Sequence, residues 1–199
     1  LSVVIITNNE ENFIEDALKS ALFADEVIVL DSFSVDKTYE IAKTLGARVI
    51  QHDWQGYGKQ KNFAINLALN NWVFVLDSDE RISLKLQNEI IAILKNPDCD
   101  GYRVPRLNWF FGKAIKTCGL YPDFSIRLFN KCYGEFNDVP VHESVQIRGR
   151  VSNLKNHMIH LAYENVEEFI IKQKKYSKLS YKKKNKLKIF ISPVWVFIK

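Results

Sequence analysis

The sequence predicts a single α/β domain on an open mixed sheet of the Rossmann-like kind. Short β-rich apolar runs alternate with amphipathic helical patterns through the first half, which is how parallel βαβ units are written. The 199 residues are 47% hydrophobic and 26% charged, a globular composition at single-domain length. With 8 Gly, 5 Pro and no self-similar block, collagen-like and solenoid architectures are excluded.

Ser2 to Thr7 is a continuous apolar run and reads as a first buried strand. It carries no basic leader or small-residue cleavage site, so a signal peptide is not expected. Glu11 to Phe23 has helical spacing, with Phe13, Ala17, Leu18, Ala21 and Leu22 expected inward. Glu26 to Leu30 is a second strand that delivers Asp31 to its carboxyl end. Ser34 or Asp36 can cap a helix from Lys37 to Leu45, Gly46 ends it, and Ala47 to Gln51 is a third strand. After Gly56-Tyr57-Gly58, Lys59 to Leu69 reads as a helix. Trp72 to Leu76 is an all-apolar strand running into Asp77-Ser78-Asp79-Glu80, and Ser83 can cap a helix from Leu84 to Leu94. Asp100 to Phe111, Phe124 to Asn130 and Val141 to Ile147 then read as strands of a less regular second half.

Charge is unevenly spread. Residues 172–188 hold nine lysines and no acid, which leaves 19 basic and 23 acidic groups in the remainder. The body is mildly acidic and the tail strongly basic. Glu167 to Leu187 reads as a basic helix, followed by the apolar, Trp-bearing run from Ile189 to Ile198, too short to span a bilayer but suited to an anionic membrane surface. A solvated lysine face with a last element packed on the core is the plainer alternative. Cys99, Cys118 and Cys132 form no C-x-x-C pair, which fits a reducing compartment and excludes a disulfide scaffold or zinc ribbon.

Ligands of open α/β sheets bind beyond the carboxyl ends of the strands, where Asn9-Glu10, Asp31 and Asp77-Ser78-Asp79 converge. Two carboxylates spaced D-x-D can hold a hard divalent cation against a pyrophosphate, although Asp77 can equally cap a turn with Asp79 and Glu80 solvated. Asp31 can accept from a ribose or base, or open an Asx-turn. Lys59 and Lys61, beside Gln60 and Asn62, start a helix where phosphate can bind, or simply solvate its end. His142-Glu143 follows Pro140 and offers an acid–base pair. His157 and His160 flank Met158-Ile159, which reads as a strand. Residues three apart on a strand face opposite sides, so the two histidines do not chelate one metal and at least one is structural.

Together these stretches resemble family 2 glycosyltransferases of the GT-A fold, most closely the bacterial lipopolysaccharide-core β-1,4-glucosyltransferase type. In order they are Ser2 to Glu11, Val29 to Ser34, Gly58 to Asn62, Leu76 to Glu80, Asp123 to Phe129 and Val141 to Glu143. The resemblance implies a GT-A domain over 1–163, with a donor half of about 1–98 and an acceptor half of about 99–163, and a tail over 164–199 that continues past Lys199. It implies a nucleotide-diphosphate sugar donor bordered by Thr7, Asn9, Glu10 and Asp31, with Lys59, Gln60, Asp77 and Ser78 nearby. Asp79 and Asp77 would hold Mg²⁺ or Mn²⁺. Glu143 would be the base, with Asp123 as the other candidate, and Arg127, His142 and His160 would contact acceptor or phosphate.

The expected reaction is single displacement with inversion, moving a hexose from a UDP-linked donor to a hydroxyl of a glycan or glycolipid, such as lipopolysaccharide core. The expected place is the cytoplasmic face of the membrane. A sugar nucleotidyltransferase would want a Gly-rich loop after the first strand, where Asn8-Asn9-Glu10-Glu11 stands instead. A noncatalytic binder of nucleic acid or anionic surfaces could use the lysine tail, but would not need Asp77, Asp79 or Glu143, and no nucleic-acid partner is expected.

Overall fold

The computed structural model describes residues 1–117, 119–139, 143–163, 167 and 170. The expected helix from Glu167 to Leu187 and the apolar run after it lie outside the described residues, apart from Glu167 and Ile170.

The first half alternates as its sequence predicts, except that β5 stands where an acidic loop is expected: β1 (Ser2–Thr7), α1 (Ile14–Ala21), β2 (Glu26–Asp31), α2 (Thr38–Thr44), β3 (Arg48–Gln51), α3 (Tyr57–Asn66), β4 (Trp72–Asp77), β5 (Glu80–Ile82) and α4 (Leu84–Leu94). The second half is strand-rich: β6 (Gly101–Phe110), β7 (Lys113–Ala114), β8 (Asp123–Asn130), β9 (Gly134–Phe136), β10 (Val145–Ile147), β11 (Val151–Asn153) and β12 (Met158–Tyr163).

One mixed sheet runs β3-β2-β1-β4-β8-β6-β12-β5, with β7 and β11 paired to β6, and β9 and β10 form a separate two-stranded sheet. β1 to β4 are parallel, and β8 joins β4 antiparallel. Only Ser78 and Asp79 link β4 to β5, yet β5 pairs with β12 at the other end of the path, so the sheet curls and brings its far edge back over the ends of β1 and β4.

Two cores sandwich the sheet. On one face Val3, Ile5, Phe74 and Leu76 meet α1, α2 and α4; on the other Val4, Ile6, Val73 and Val75 meet Ala64 and Ile65 of α3 and Ala68 just beyond its end. The period-2 alternation of β4 therefore points Asp77 to the α3 side, with Val73 and Val75. By the same alternation, Arg127 shares that face with Phe129.

Boundaries differ from expectation where local chemistry intervenes. α1 starts at Ile14, because Phe13 and Ile14 donate their amides to Glu10 O in a preceding turn, and Leu22 is 55% exposed rather than inward. α3 starts at Tyr57 after Gly56, whose φ of 102° turns the chain into the helix. Ser83 caps α4 as predicted, accepting from the Leu86 amide and donating to His157 O. Glu80 belongs to a strand and is fully buried, not part of a solvated acidic loop.

Candidate active site

A chain of alternating charges crosses the carboxyl end of the sheet. Lys61 Nζ, on α3, lies 2.8 Å from Asp77 Oδ1 and 2.8 Å from Glu143 Oε1. Arg127 Nη2, on β8, lies 2.9 Å from Asp77 Oδ2 and 2.6 Å from Glu80 Oε1. Arg106 Nη1, on β6, is 3.7 Å from Glu80 Oε1, and its Nε and Nη2 donate to Asp123 Oδ2 at 2.9 and 2.5 Å. Glu143 and Asp123, the two candidate bases, thus stand at opposite ends of one network with Asp77 inside it.

Burial makes these charges interdependent. The side chains of Lys61 and Arg127 are only 3% and 7% exposed, and that of Glu80 is 0% exposed. Burial alone would lower the Lys61 pKa, but Asp77 and Glu143 outweigh it and raise it. Burial likewise opposes an ionised Asp77, yet Lys61 and Arg127 hold its carboxyl well below the usual carboxylate range. For Arg127, Glu80 and Asp77 overcome desolvation and raise the pKa. Burial pushes Glu80 up, with Arg127 only partly offsetting it.

The loop carrying Glu143 is clamped to α3. Asn62 Nδ2 donates to Phe136 O at 2.9 Å and its Oδ1 accepts the Phe136 amide at 2.8 Å. Asn137 Oδ1 accepts the Ser144 amide, and Asn137 Nδ2 donates to Ser144 Oγ. Gly58 faces Asn137 O so closely that a Cβ has no room.

Asp79 lies at the edge of this network, where its charge acts on Glu80. The Leu161 amide of β12 donates to Asp79 O at 2.9 Å, and Asp79 Oδ2 faces His160 Nε2 at 3.5 Å. His160 Nδ1 is 2.7 Å from Asn108 Oδ1, and Asn108 Nδ2 donates to Leu120 O. With the Asn108 amide oriented by Leu120, Asn108 Oδ1 holds the ring of His160 at Nδ1 and turns Nε2 toward Asp79.

The β1 and β2 ends form the second part of the crevice. Asp31 is buried and accepts from the Ser34 amide, Ser34 Oγ and Gln51 Nε2. Asn9, at φ 57°, donates its amide to Ser34 Oγ and accepts the Val35 amide, while the Glu10 amide donates to Thr38 Oγ1. Thr7 Oγ1 is buried with no hydrogen-bond partner among the described residues. Gln60 is buried and donates to Ser32 Oγ and His52 O. Lys59 is exposed and pairs with Asp138 at 3.3 Å. Ser78 accepts from Arg81 through its carbonyl. His142 lies outside the described residues.

The structure therefore joins Asp77, Arg127, Glu143 and Asp123 in one network, groups Asp79 with His160, and keeps Lys59 at the surface. Sequence reasoning missed the roles of Glu80, Arg106 and Asn108, and read Lys61 as a phosphate contact or a solvated helix end rather than as the buried link between Asp77 and Glu143. Helical spacing carried a signal for Lys61, which shares a buried face with Ala64 and Ile65.

The sequence model for glycosyl transferase family 2 matches residues 2–133. The chain belongs to this family. An uncharacterized glycosyltransferase of Rickettsia typhi is 32% identical over 219 residues, an alignment covering all of this chain and 75% of the relative. The lipopolysaccharide core biosynthesis glycosyltransferase LpsC of Rhizobium meliloti is 28% identical over 187 residues, covering 90% of this chain and 69% of LpsC. Among solved structures, S. aureus TarS 1-349 in complex with UDP-GlcNAc superposes with a TM-score of 0.61 at 19% identity, covering 82% of this chain and 58% of TarS. That likeness establishes the GT-A fold; this chain spans less than two thirds of the TarS chain.

Proposed function

We propose that this family 2 member is an inverting glycosyltransferase that moves a hexose from a UDP-linked donor to a hydroxyl of a cell-envelope glycan, lipopolysaccharide core being the favoured acceptor class. The observation that carries the reading is the buried network that links Asp77 to Glu143 through Lys61. The names of LpsC and of the TarS complex support the acceptor and donor classes respectively. The donor occupies the half formed by about residues 1–98, and the acceptor enters over about 99–163.

The residues fit a divalent cation in part. Among the described residues no cluster of three or more His, Cys, Asp or Glu forms a cage. Asp79 Oδ2 and His160 Nε2 supply an oxygen and a nitrogen, and both oxygens of Asp77 are paired with Lys61 and Arg127. Asp79 and His160 would hold the ion, with donor phosphates and water completing its shell, and the imidazole favours Mn²⁺ over Mg²⁺. When bound, it neutralises the diphosphate leaving group as a Lewis acid.

The chain's own groups supply the rest. Thr7, Asn9, Glu10, Asp31 and Gln60 border the nucleoside. Glu143, held at Oε1 by Lys61, takes the acceptor hydroxyl proton as that oxygen attacks the anomeric carbon. Arg106 fixes Asp123 through a single oxygen at the acceptor side. The lysine run 172–188 draws the enzyme to the anionic cytoplasmic face of the membrane. Among the described residues no helix is long and apolar enough to cross a membrane.

The test is UDP release from UDP-hexoses with a lipopolysaccharide-core acceptor. Glu143→Gln is expected to keep donor affinity and lose roughly 10²- to 10⁴-fold in turnover. If Glu143→Gln stays active while Asp123→Asn does not, the base is Asp123. If the parent neither binds nor turns over any nucleotide sugar with Mn²⁺, the transferase reading fails.

A further inference from the structure

β6 passes into β7 through the two residues Phe111 and Gly112, with Phe110 paired to Lys113. Both turn residues have positive φ, 53° and 74°, as a type I′ hairpin requires. Such a turn favours Asn or Asp before Gly, and a bulky aromatic there is held in a sparsely populated conformation. Its ring meets Phe110 edge-on at 6.4 Å, yet 47% of Phe111 remains exposed, so packing recovers only part of that cost.

Behind the tip, Phe110, Phe111, Lys113, Ile115 and Leu120 line an open hollow of about 530 Å³. Its walls are apolar except for Lys113. From Gly101 to Pro122 the chain carries Arg103, Arg106, Lys113 and Lys116 and no acid, and both lysines are exposed. The hollow also adjoins the site. Phe110 shares the β6 face of Arg106 and Asn108, and Leu120 O accepts from the Asn108 that orients His160 toward Asp79.

We propose that this hairpin is a membrane-contact wedge. Phe111 and Leu120 enter the headgroup region of an anionic bilayer, Lys113 and Lys116 meet lipid phosphates, and the crevice between Asp79 and Glu143 is turned toward acceptors held in that bilayer. An exposed aromatic tip flanked by lysines has the chemistry of an interfacial anchor, where ring and cations act together. The orientation rests on the transferase reading; the lipid contact itself is measurable without turnover.

The experiment is co-sedimentation of the full 199-residue chain with vesicles of phosphatidylcholine alone and of phosphatidylcholine mixed with phosphatidylglycerol. The lysine run 172–188 contributes a background common to all variants, so differences between variants read the hairpin. Phe111→Asn suits the turn better than the parent residue, so it is expected to melt no lower and to bind UDP unchanged, while vesicle affinity falls roughly tenfold. Lys113→Gln/Lys116→Gln is expected to lose roughly tenfold or more on the anionic vesicles alone. Phe111→Trp should add blue-shifted emission when anionic vesicles are added. Parental vesicle binding by both loss variants, or an unshifted Phe111→Trp, would overturn the proposal. So would a fall in solution mass in Phe111→Asn, which would make the hollow a contact between two copies. Failure of the parent to bind UDP would instead overturn the transferase reading and leave the lipid result standing.

Discussion

Replacing Arg127 by Met isolates the centre of the charge network. Arg127 Nη2 contacts Asp77 and Glu80 at 2.9 and 2.6 Å, and the network as a whole holds four carboxylates against three cations. At an effective dielectric of about 20, a pair with charge centres about 4 Å apart interacts by about 4 kcal/mol. Removing one partner of a buried pair costs about 3–5 kcal/mol, because the other charge stays buried. Glu80 would then keep only Arg106, 3.7 Å away, and the Asp77 amide. Urea unfolding of Arg127→Met followed by Trp fluorescence should show a loss of about 3–5 kcal/mol, and the melting temperature should fall by roughly 6–20 °C for a chain of this length. Adding Glu80→Gln should recover about 1–3 kcal/mol, since it neutralises a stranded carboxylate that a simple packing defect would not sense. A loss under about 1 kcal/mol, or no recovery in the double variant, would refute the reasoning.

Three further outcomes are expected. Burial and the hydrogen bond to Asp98 push the Tyr102 phenol up to about 12; the folded state therefore keeps a proton that the unfolded chain releases near pH 10. Its contribution is full below pH 10 and up to about 2.5 kcal/mol is lost between about pH 10 and 12, a slope that should vanish in Tyr102→Phe when urea unfolding is repeated across that range. Gly58→Ala drives a Cβ into Asn137 O at the clamp of the Glu143 loop, so it should cost about 1–3 kcal/mol in denaturation and lower turnover as the Lys61 to Glu143 contact shifts. Ser83→Ala removes both the α4 cap and a hydrogen bond to His157 O, and should cost about 1 kcal/mol with donor binding untouched.

The first half of the fold was legible because each element there carries its own signal. Ser2–Thr7 and Trp72–Asp77 are buried on both faces and so are continuous in apolar character, and α1 shows a clear helical period. β5, β9 and β11, three residues each, are too short for a pattern, and their pairing depends on the curl of the sheet rather than on local propensity. The site divides the same way. Asp77 and Asp79 stand out because they end an apolar run. Glu80 looks like one more acid of that loop until β12 pairs with β5 and encloses it. Arg106 and Asn108 lie within an otherwise ordinary strand, and no sequence spacing says that they meet Asp123 and His160.

The proposed function rests on a nucleotide-diphosphate sugar site whose cation would be held by Asp79 and His160, with Asn108 orienting the imidazole. Calorimetric titration of UDP with and without Mn²⁺ tests it most directly. The account predicts that Mn²⁺ strengthens UDP binding in the parent, that Asp79→Ala and His160→Ala abolish the gain, and that Asn108→Ala weakens Mn²⁺ affinity roughly 10- to 100-fold. UDP affinity indifferent to Mn²⁺ in the parent, or a full Mn²⁺ effect in both Asp79→Ala and His160→Ala, would contradict it.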